Sequence, residues 1–397
     1  MATKSRSVKS PLPVSKKIFG SESWTLAHDK VSLALTCEGG HLGPVTFSLG
    51  GKKIQPFHIA PWALETKTRA ALPPVLAHLR GDFFCLPFGG NSKPWRGENH
   101  PVHGETANAA WTLEEEVTSG PTRSLRCSLA TKIRPGQVTK EIFLREGESV
   151  VYQRHTLHGF RGPMNFGHHA MLQLRPEWGP AHLSTSRFVH GQVYPGEFES
   201  PAQGGYSSLR AGACFRSLQR IPLATGGWAD WSTLPGREGF EDLVLLAAPP
   251  RSTCAWSAVA FPRAGFVWFA LKNPQTLAAT VLWHSHGGRH YPPWNGRHRN
   301  VLGVEEITGH FHDGLAESAA PNPLQSLGLR TAHQISPREP LVINYLFGLV
   351  RVPATFGAVR EIKLQSGSLS LRGAGTHRVS TPVDPDFLDC APGHPKK

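Results

Sequence analysis

The sequence predicts an all-β fold, a sandwich or a barrel, and three observations carry that prediction. Short runs rich in β-branched and aromatic residues recur along the chain, separated by Gly, Pro, Asn and Ser turns. The 41 glycines and 34 prolines among 397 residues demand many turns, yet stay below the roughly 25–30% that marks low-complexity disorder. No stretch combines three helical turns, a cap and an apolar stripe of period 3.6. With only 18% charged residues, a coiled coil or long-helix bundle is excluded.

In chain order, residues 1–20 read as a disordered arm, basic and without an apolar stretch. Val31 to Cys37 alternates apolar and polar residues and is the first strand. Ala110–Val117, Ser124–Thr131, Val138–Leu144 and Ser149–Leu157 follow as further strands. The Gly/Ser/Pro-rich segment Glu197–Tyr206 reads as a long loop over the sheet, and such loops are often functional. Asp242–Leu246, Cys254–Phe261, Gly265–Leu271, Ala278–Trp283, Leu327–Ala332 and Leu341–Val350 complete the set. Residues 375–397, with Pro382, Pro385, Pro392 and Pro395, read as a loose tail. No strong linker divides the middle, so residues 21–374 are expected to form one large domain.

Composition narrows the function classes. The formal charge is +13, but the basic residues are scattered and no nucleic-acid-binding module accompanies them. No run approaches the ~18 apolar residues of a membrane span. Cys37, Cys85, Cys127, Cys214, Cys254 and Cys390 include no CxxC pair and read as free, buried thiols. The expectation is a soluble, cytoplasmic protein with no membrane or nucleic-acid partner; nothing in the chain signals its oligomeric state. A nucleophile elbow, a phosphate-binding loop, a dinucleotide fingerprint and an HExxH helix are all missing.

Four stretches set polar residues among aromatics. Arg80 to Asn91 leads through a Gly-rich turn towards His103-Gly104, Asn108 and Trp111. Asn165 to Leu174 carries His168 and His169, which strand alternation sends to opposite faces. Trp283 to Asn300 is rich in His, Arg and Trp; the strand after it holds Glu305 and Glu306, again on opposite faces, with one expected to be solvated. Gly226 to Trp231 sets Asp230 between two indoles, flat platforms suited to sugar C–H faces. His284 with His286, and His310 with His312, have strand spacing for two metal ligands on one face. The neighbouring Arg289, Arg297 and Arg299 disfavour a cation, so no metal is expected.

The order of these segments resembles the galactose mutarotase-like superfamily, which includes aldose 1-epimerases and glucose-6-phosphate 1-epimerases. The resemblance rests on Glu38-Gly-Gly-His-Leu-Gly-Pro-Val, Gly81-Asp-Phe-Phe-Cys-Leu-Pro-Phe-Gly, His103-Gly104 with Trp111, His169-Ala-Met-Leu-Gln-Leu174, and Leu302-Gly-Val-Glu305. It implies a large, twisted antiparallel β-sandwich with a sugar site in a concave sheet face. It also implies a cofactor-free anomer interconversion of a sugar or sugar phosphate, with Glu305 as base, His169 as acid and His103 assisting. Asn91, Asn108, Asp230, Trp294 and Arg297 are the candidate sugar-binding residues, with Asn295 near the mouth. Three departures bear on the substrate. The arginine that follows the family's Phe-Gly turn is replaced by Gly90-Asn91-Ser92-Lys93. The aromatic pair after the histidine is replaced by Ala170, Met171 and Leu172. The family's sugar-binding aspartate has no clear counterpart; Asp230 and Asp242 are candidates. These changes keep open a non-catalytic carbohydrate-binding protein on the same scaffold. A metal-dependent enzyme built on His284 and His286 is a third reading.

Overall fold

In the computed structural model, which describes residues 8–10 and 12–389, two large antiparallel sheets face each other. One has ten strands, running from Val8–Ser10 at one edge through Val150–His158, Leu341–Arg351 and Phe266–Lys272 to Thr233–Leu234. The other has eight strands, with Phe240–Ala247, Ala279–His286 and Val301–Thr308 at its centre. Phe166–His168, Ala170–Gln173 and Phe84–Cys85 continue the eight-stranded sheet. The helices are short, at most five residues.

Period-two alternation divides the central strands between two apolar cores. Val244, Leu246, Leu282, Leu302 and Val304 point into the sandwich interior with Trp268, Tyr345 and Phe347 of the opposite sheet. Their neighbours Leu243, Leu245, Val281, Trp283, Val301 and Ile307 line the other face, under the short segment Pro74–Ala77 and Trp62. The eight-stranded sheet is therefore buried on both sides, which explains why its strands read as nearly continuous apolar runs. A five-stranded sheet from Lys16–Ile18 to Lys52–Ile54 feeds Leu26, Leu33, Val45 and Phe47 into the interior. A three-stranded sheet, Glu361–Gln365, Ser368–Arg372 and Arg378–Pro382, lays Leu369 and Leu371 on the outer face of the ten-stranded sheet.

Several expectations need correction. Residues 8–10 and 12–20 are not a plain arm. Val8–Ser10 pairs with Thr112–Ser119, and Lys16–Ile18 pairs with Ser21–His28. The tail is paired as well, through Arg378–Pro382, and Phe387 and Leu388 are buried beyond it. Residues 1–7, 11 and 390–397 lie outside the described residues. Leu327–Ala332 is not a strand; it follows a one-turn helix, Pro323–Ser326, and pairing resumes at His333–Ile335. Cys85 and Cys127 are buried free thiols, whereas Cys214 is exposed; Cys390 is outside the described residues.

Candidate active site

Where the second face of the eight-stranded sheet is not fully covered, a cleft of about 270 Å³ opens. Glu305 and Trp283 rise from adjacent strands into it, and Leu243 joins them from the next. His169 enters from the bend between Phe166–His168 and Ala170–Gln173, which pair with the same Val301–Thr308 strand. The His169 backbone N–H donates to the Phe83 carbonyl at 2.9 Å, and its ring stacks on the Phe83 ring, centroids 4.6 Å apart. This fixes the imidazole so that its Nε2 lies 3.4 Å from Glu305 Oε1. Gly303 makes room for the carboxylate: a Cβ there would lie 2.8 Å from Glu305 Oε1 and 3.0 Å from the Trp283 Cβ.

His103 reaches the same cleft from a turn held at φ 59°, in the left-handed region, with Gly104 behind it pressed against the Leu86 carbonyl. Its ring meets His169 edge-on at 4.8 Å and contacts Phe83 and Phe88. Trp294 and His312 complete this side. Val75, Leu76, Leu79 and Val102 add aliphatic lining.

Among the described residues one guanidinium lines the cleft, that of Arg289. It lies 4.6 Å over the Trp294 ring, 5.2 Å over Trp283 and 5.5 Å over Phe198. Its Nε donates to Glu199, whose other oxygen accepts from the Tyr291 hydroxyl at 3.0 Å. Beneath it Glu241 is fully buried and accepts from Trp283 Nε1 at 3.0 Å, Ser285 Oγ at 2.9 Å and the Gly288 N–H at 3.1 Å. Glu241 thus anchors both the indole platform and the backbone that carries Arg289.

Burial dominates the electrostatics. It pushes Glu305 well above the usual carboxylate range, an effect that the Arg289 charge partly counters. It pulls His169 down to about 4 and His312 to about 4, and it holds His103 well below the free imidazole value. Glu241 is raised to about 7, again by burial. The Glu305–His169 pair therefore favours its uncharged form, with the shared proton on the carboxyl.

Of the candidate catalytic and sugar-binding residues, Glu305, His169, His103 and Trp294 meet in this cleft, and His312 and Arg289, which entered the sequence reading only in the argument over a metal, line it too. The others lie elsewhere or are occupied. Asn91 spends its amide on the Pro87, Gly89 and Pro101 carbonyls and accepts from the Leu315 N–H. Asn108 ties Val75 to Val102 and Gly104. Both staple the loops that shape the cleft and are not among its lining residues. Arg297 pairs with Glu65. Asp230 is exposed and closes a local turn onto Ser232, beside an exposed Trp228. Asp242 is buried and accepts from Ser208 and Leu209.

Glu306 does point away from Glu305, but it is not solvated. It is buried against Lys272, Ser257 and Thr280. His168, opposite His169, is a core residue bonded to Asp82 and stacked on Tyr345. His310 and His312 lie past the end of the Val301–Thr308 strand, so strand spacing does not apply to them. No group of three potential metal ligands converges among the described residues. No helix among them is long and apolar enough to cross a membrane.

Solved structures share this architecture. A galactose mutarotase-like protein from Clostridium acetobutylicum superposes with a TM-score of 0.57 at 9% identity, covering 88% of this chain and 99% of its own. An aldose epimerase homologue from C. elegans gives 0.52 at 12% identity, covering 83% and 99%. A galactose mutarotase related enzyme from Lactobacillus acidophilus gives 0.51 at 11%, covering 86% and 100%. The chain shares the fold of these three solved structures. No family model matches the chain, and no curated protein matches it in sequence. At these identities the likeness establishes the fold alone. The site residues rest on the geometry above.

Sequence reasoning passed over Glu199 and Glu241 and read Arg289 only as an argument against a metal. Glu199 lay inside the loop already marked as long for a compact domain. Glu241 stands beside Asp242 in an apolar strand, and which of the two faces the cleft depends on register.

Proposed function

We propose that the protein is an aldose 1-epimerase-like enzyme, interconverting the anomers of a sugar by acid–base opening and reclosure of the ring. The observation that carries this reading is the Glu305–His169 pair: two groups of opposite proton affinity, 3.4 Å apart and nearly buried, facing one small cleft. A cofactor is not required. In the ionised form of the pair, Glu305 takes the proton of the anomeric hydroxyl. The bond from the anomeric carbon to the ring oxygen breaks, and protonated His169 gives its proton to that oxygen. The pair is left neutral, with the proton on Glu305, which is the form that burial favours. After the aldehyde turns, His169 removes the proton from the hydroxyl that attacks it, Glu305-H protonates the carbonyl oxygen, and the other anomer forms. One proton serves both half-reactions, and each residue alternates between acid and base. Trp283 and Trp294 supply apolar faces for the sugar ring, and His103 and His312 are in reach as neutral hydrogen-bonding partners.

The test is anomer exchange by NMR over a panel of aldoses, comparing the wild type with Glu305→Gln. The expected result is exchange above the uncatalysed rate, lowered at least ~100-fold by the substitution. A second reading is sugar binding without turnover. It is favoured by the energy needed to ionise so deeply buried a carboxyl. Saturation-transfer contacts to a sugar with no acceleration of exchange would select it.

A further inference from the structure

A second chamber of about 330 Å³ lies beside the cleft, under the loop that follows His190–Val193. Phe198 and Leu243 belong to the walls of both spaces. Each space is near the lower end of the roughly 300–1,000 Å³ of small-molecule sites, and the two adjoin at Phe198 and Leu243 as an inner and an outer lobe. The outer lobe is lined by Tyr194, Glu197, Ser207, Ala211 and Asp242 among others.

The charges of the two lobes restrict the ligand. Among the described residues lining both, the lone Lys or Arg is Arg289, and Glu199 is already paired with it. Buried Glu241 adds a second carboxyl near its charge. Three basic residues of the region are paired elsewhere: Lys93 with Glu317, Arg297 with Glu65, Arg299 with Glu238. The outer lobe adds Glu197 and Asp242. A phosphate or carboxylate entering the outer lobe would face carboxylates, with no uncommitted cation among the described lining residues to receive it. Hydroxyl groups, by contrast, donate well to an exposed carboxylate such as Glu197, and a sugar C–H face covers the ring of Phe198.

We propose that the substrate is a neutral sugar of at least two rings. Its reducing-end ring lies at Glu305 and His169, and its next ring lies in the outer lobe, past Phe198. This rests on the epimerase reading for the role of the inner lobe.

The experiment compares glucose, maltose and glucose 6-phosphate on the full chain, reading anomer exchange and saturation-transfer contacts ring by ring. Ala211 is exposed and lines the outer lobe alone, so Ala211→Trp fills that lobe without touching the acid–base pair. Glu197→Trp, exposed on the same rim, is the second block should the first fail to fold. The expected result is a kcat/KM for maltose at least ~10-fold above that for glucose, as binding energy from the remote ring is used, and no preference for the phosphate. Ala211→Trp should erase the maltose advantage and leave glucose unchanged. Equal rates on glucose and maltose with no contact to the second ring would overturn the proposal, as would preference for glucose 6-phosphate. If no sugar is turned over, the epimerase reading fails, and the contacts alone decide. Contact to both rings of maltose, lost from the second ring in Ala211→Trp, supports the two-lobed site; no contact to the second ring refutes it.

Discussion

At the scale of single residues the account depends on where one proton sits. The Glu305–His169 pair works while it holds one proton. Burial lowers His169 to about 4, so a second proton binds only below that pH. Burial raises Glu305, so its proton leaves only well above the ordinary carboxylate range. The Arg289 charge lowers both groups. Replacing Arg289 by Met should therefore move both limbs of the pH–rate profile upward, which steady-state rates between pH 3.5 and 9 would show. Gly303→Ala is a second check. Its Cβ would collide with Glu305 Oε1 and Trp283, so anomer exchange should fall ~10- to 100-fold, as for other small misplacements of reacting groups. Circular dichroism should remain that of the wild type. Some of this was legible beforehand. Alternation alone placed His168 apart from His169, and Glu305 apart from Glu306. Side chains that serve backbone were not legible: Asn91 and Asn108 look like sugar ligands in a sequence, but their amides donate to carbonyls of the same loops and accept from the backbone N–H groups of Leu315 and Val75.

Among the elements, the Val301–Thr308 strand is decisive because its two glutamates serve different layers. Glu305 faces the cleft, while Glu306 faces the sandwich interior and holds Lys272 of the opposite sheet. Both members of that ion pair are almost fully buried. Lys272→Met strands the carboxylate and should cost about 3–5 kcal/mol in chemical denaturation. Lys272→Met with Glu306→Gln should recover most of that loss, because glutamine stays neutral, and its amide can accept from one of the Ser257 and Thr280 hydroxyls and donate to the other. The strands were readable from composition and period because a sheet buried on both faces is almost continuously apolar. Leu327–Ala332 was misread for the same reason: a short apolar run is equally compatible with the buried end of a helical turn. The partner of Glu306 could not be read, since it depends on the packing of one sheet against another.

For the whole molecule, many histidines are buried and uncharged. His58, His169, His312 and His333 are lowered to about 4 and His284 to about 3, in each case first by burial. Between those values and the usual 6.5 the unfolded chain binds more protons than the folded one, so stability falls as the pH falls. Glu305 and Glu241, raised by burial, act in the opposite direction but are outnumbered. The melting temperature should drop by at least ~5 °C from pH 7 to pH 4.5, measured by scanning calorimetry. The net charge of +13 does not describe the site, where carboxylates outnumber the one guanidinium. Only the placement of side chains, not their total, could reveal that. The central claim is that Glu305 and His169 share the working proton. The most direct test is the pH–rate profile of anomer exchange for wild type and Glu305→Gln. The expected profile is a plateau that begins near pH 4, extends well past the ordinary carboxylate range, and collapses in the variant. A rate that rises through pH 6.5, as for a free imidazole, and is unaltered in Glu305→Gln would contradict it.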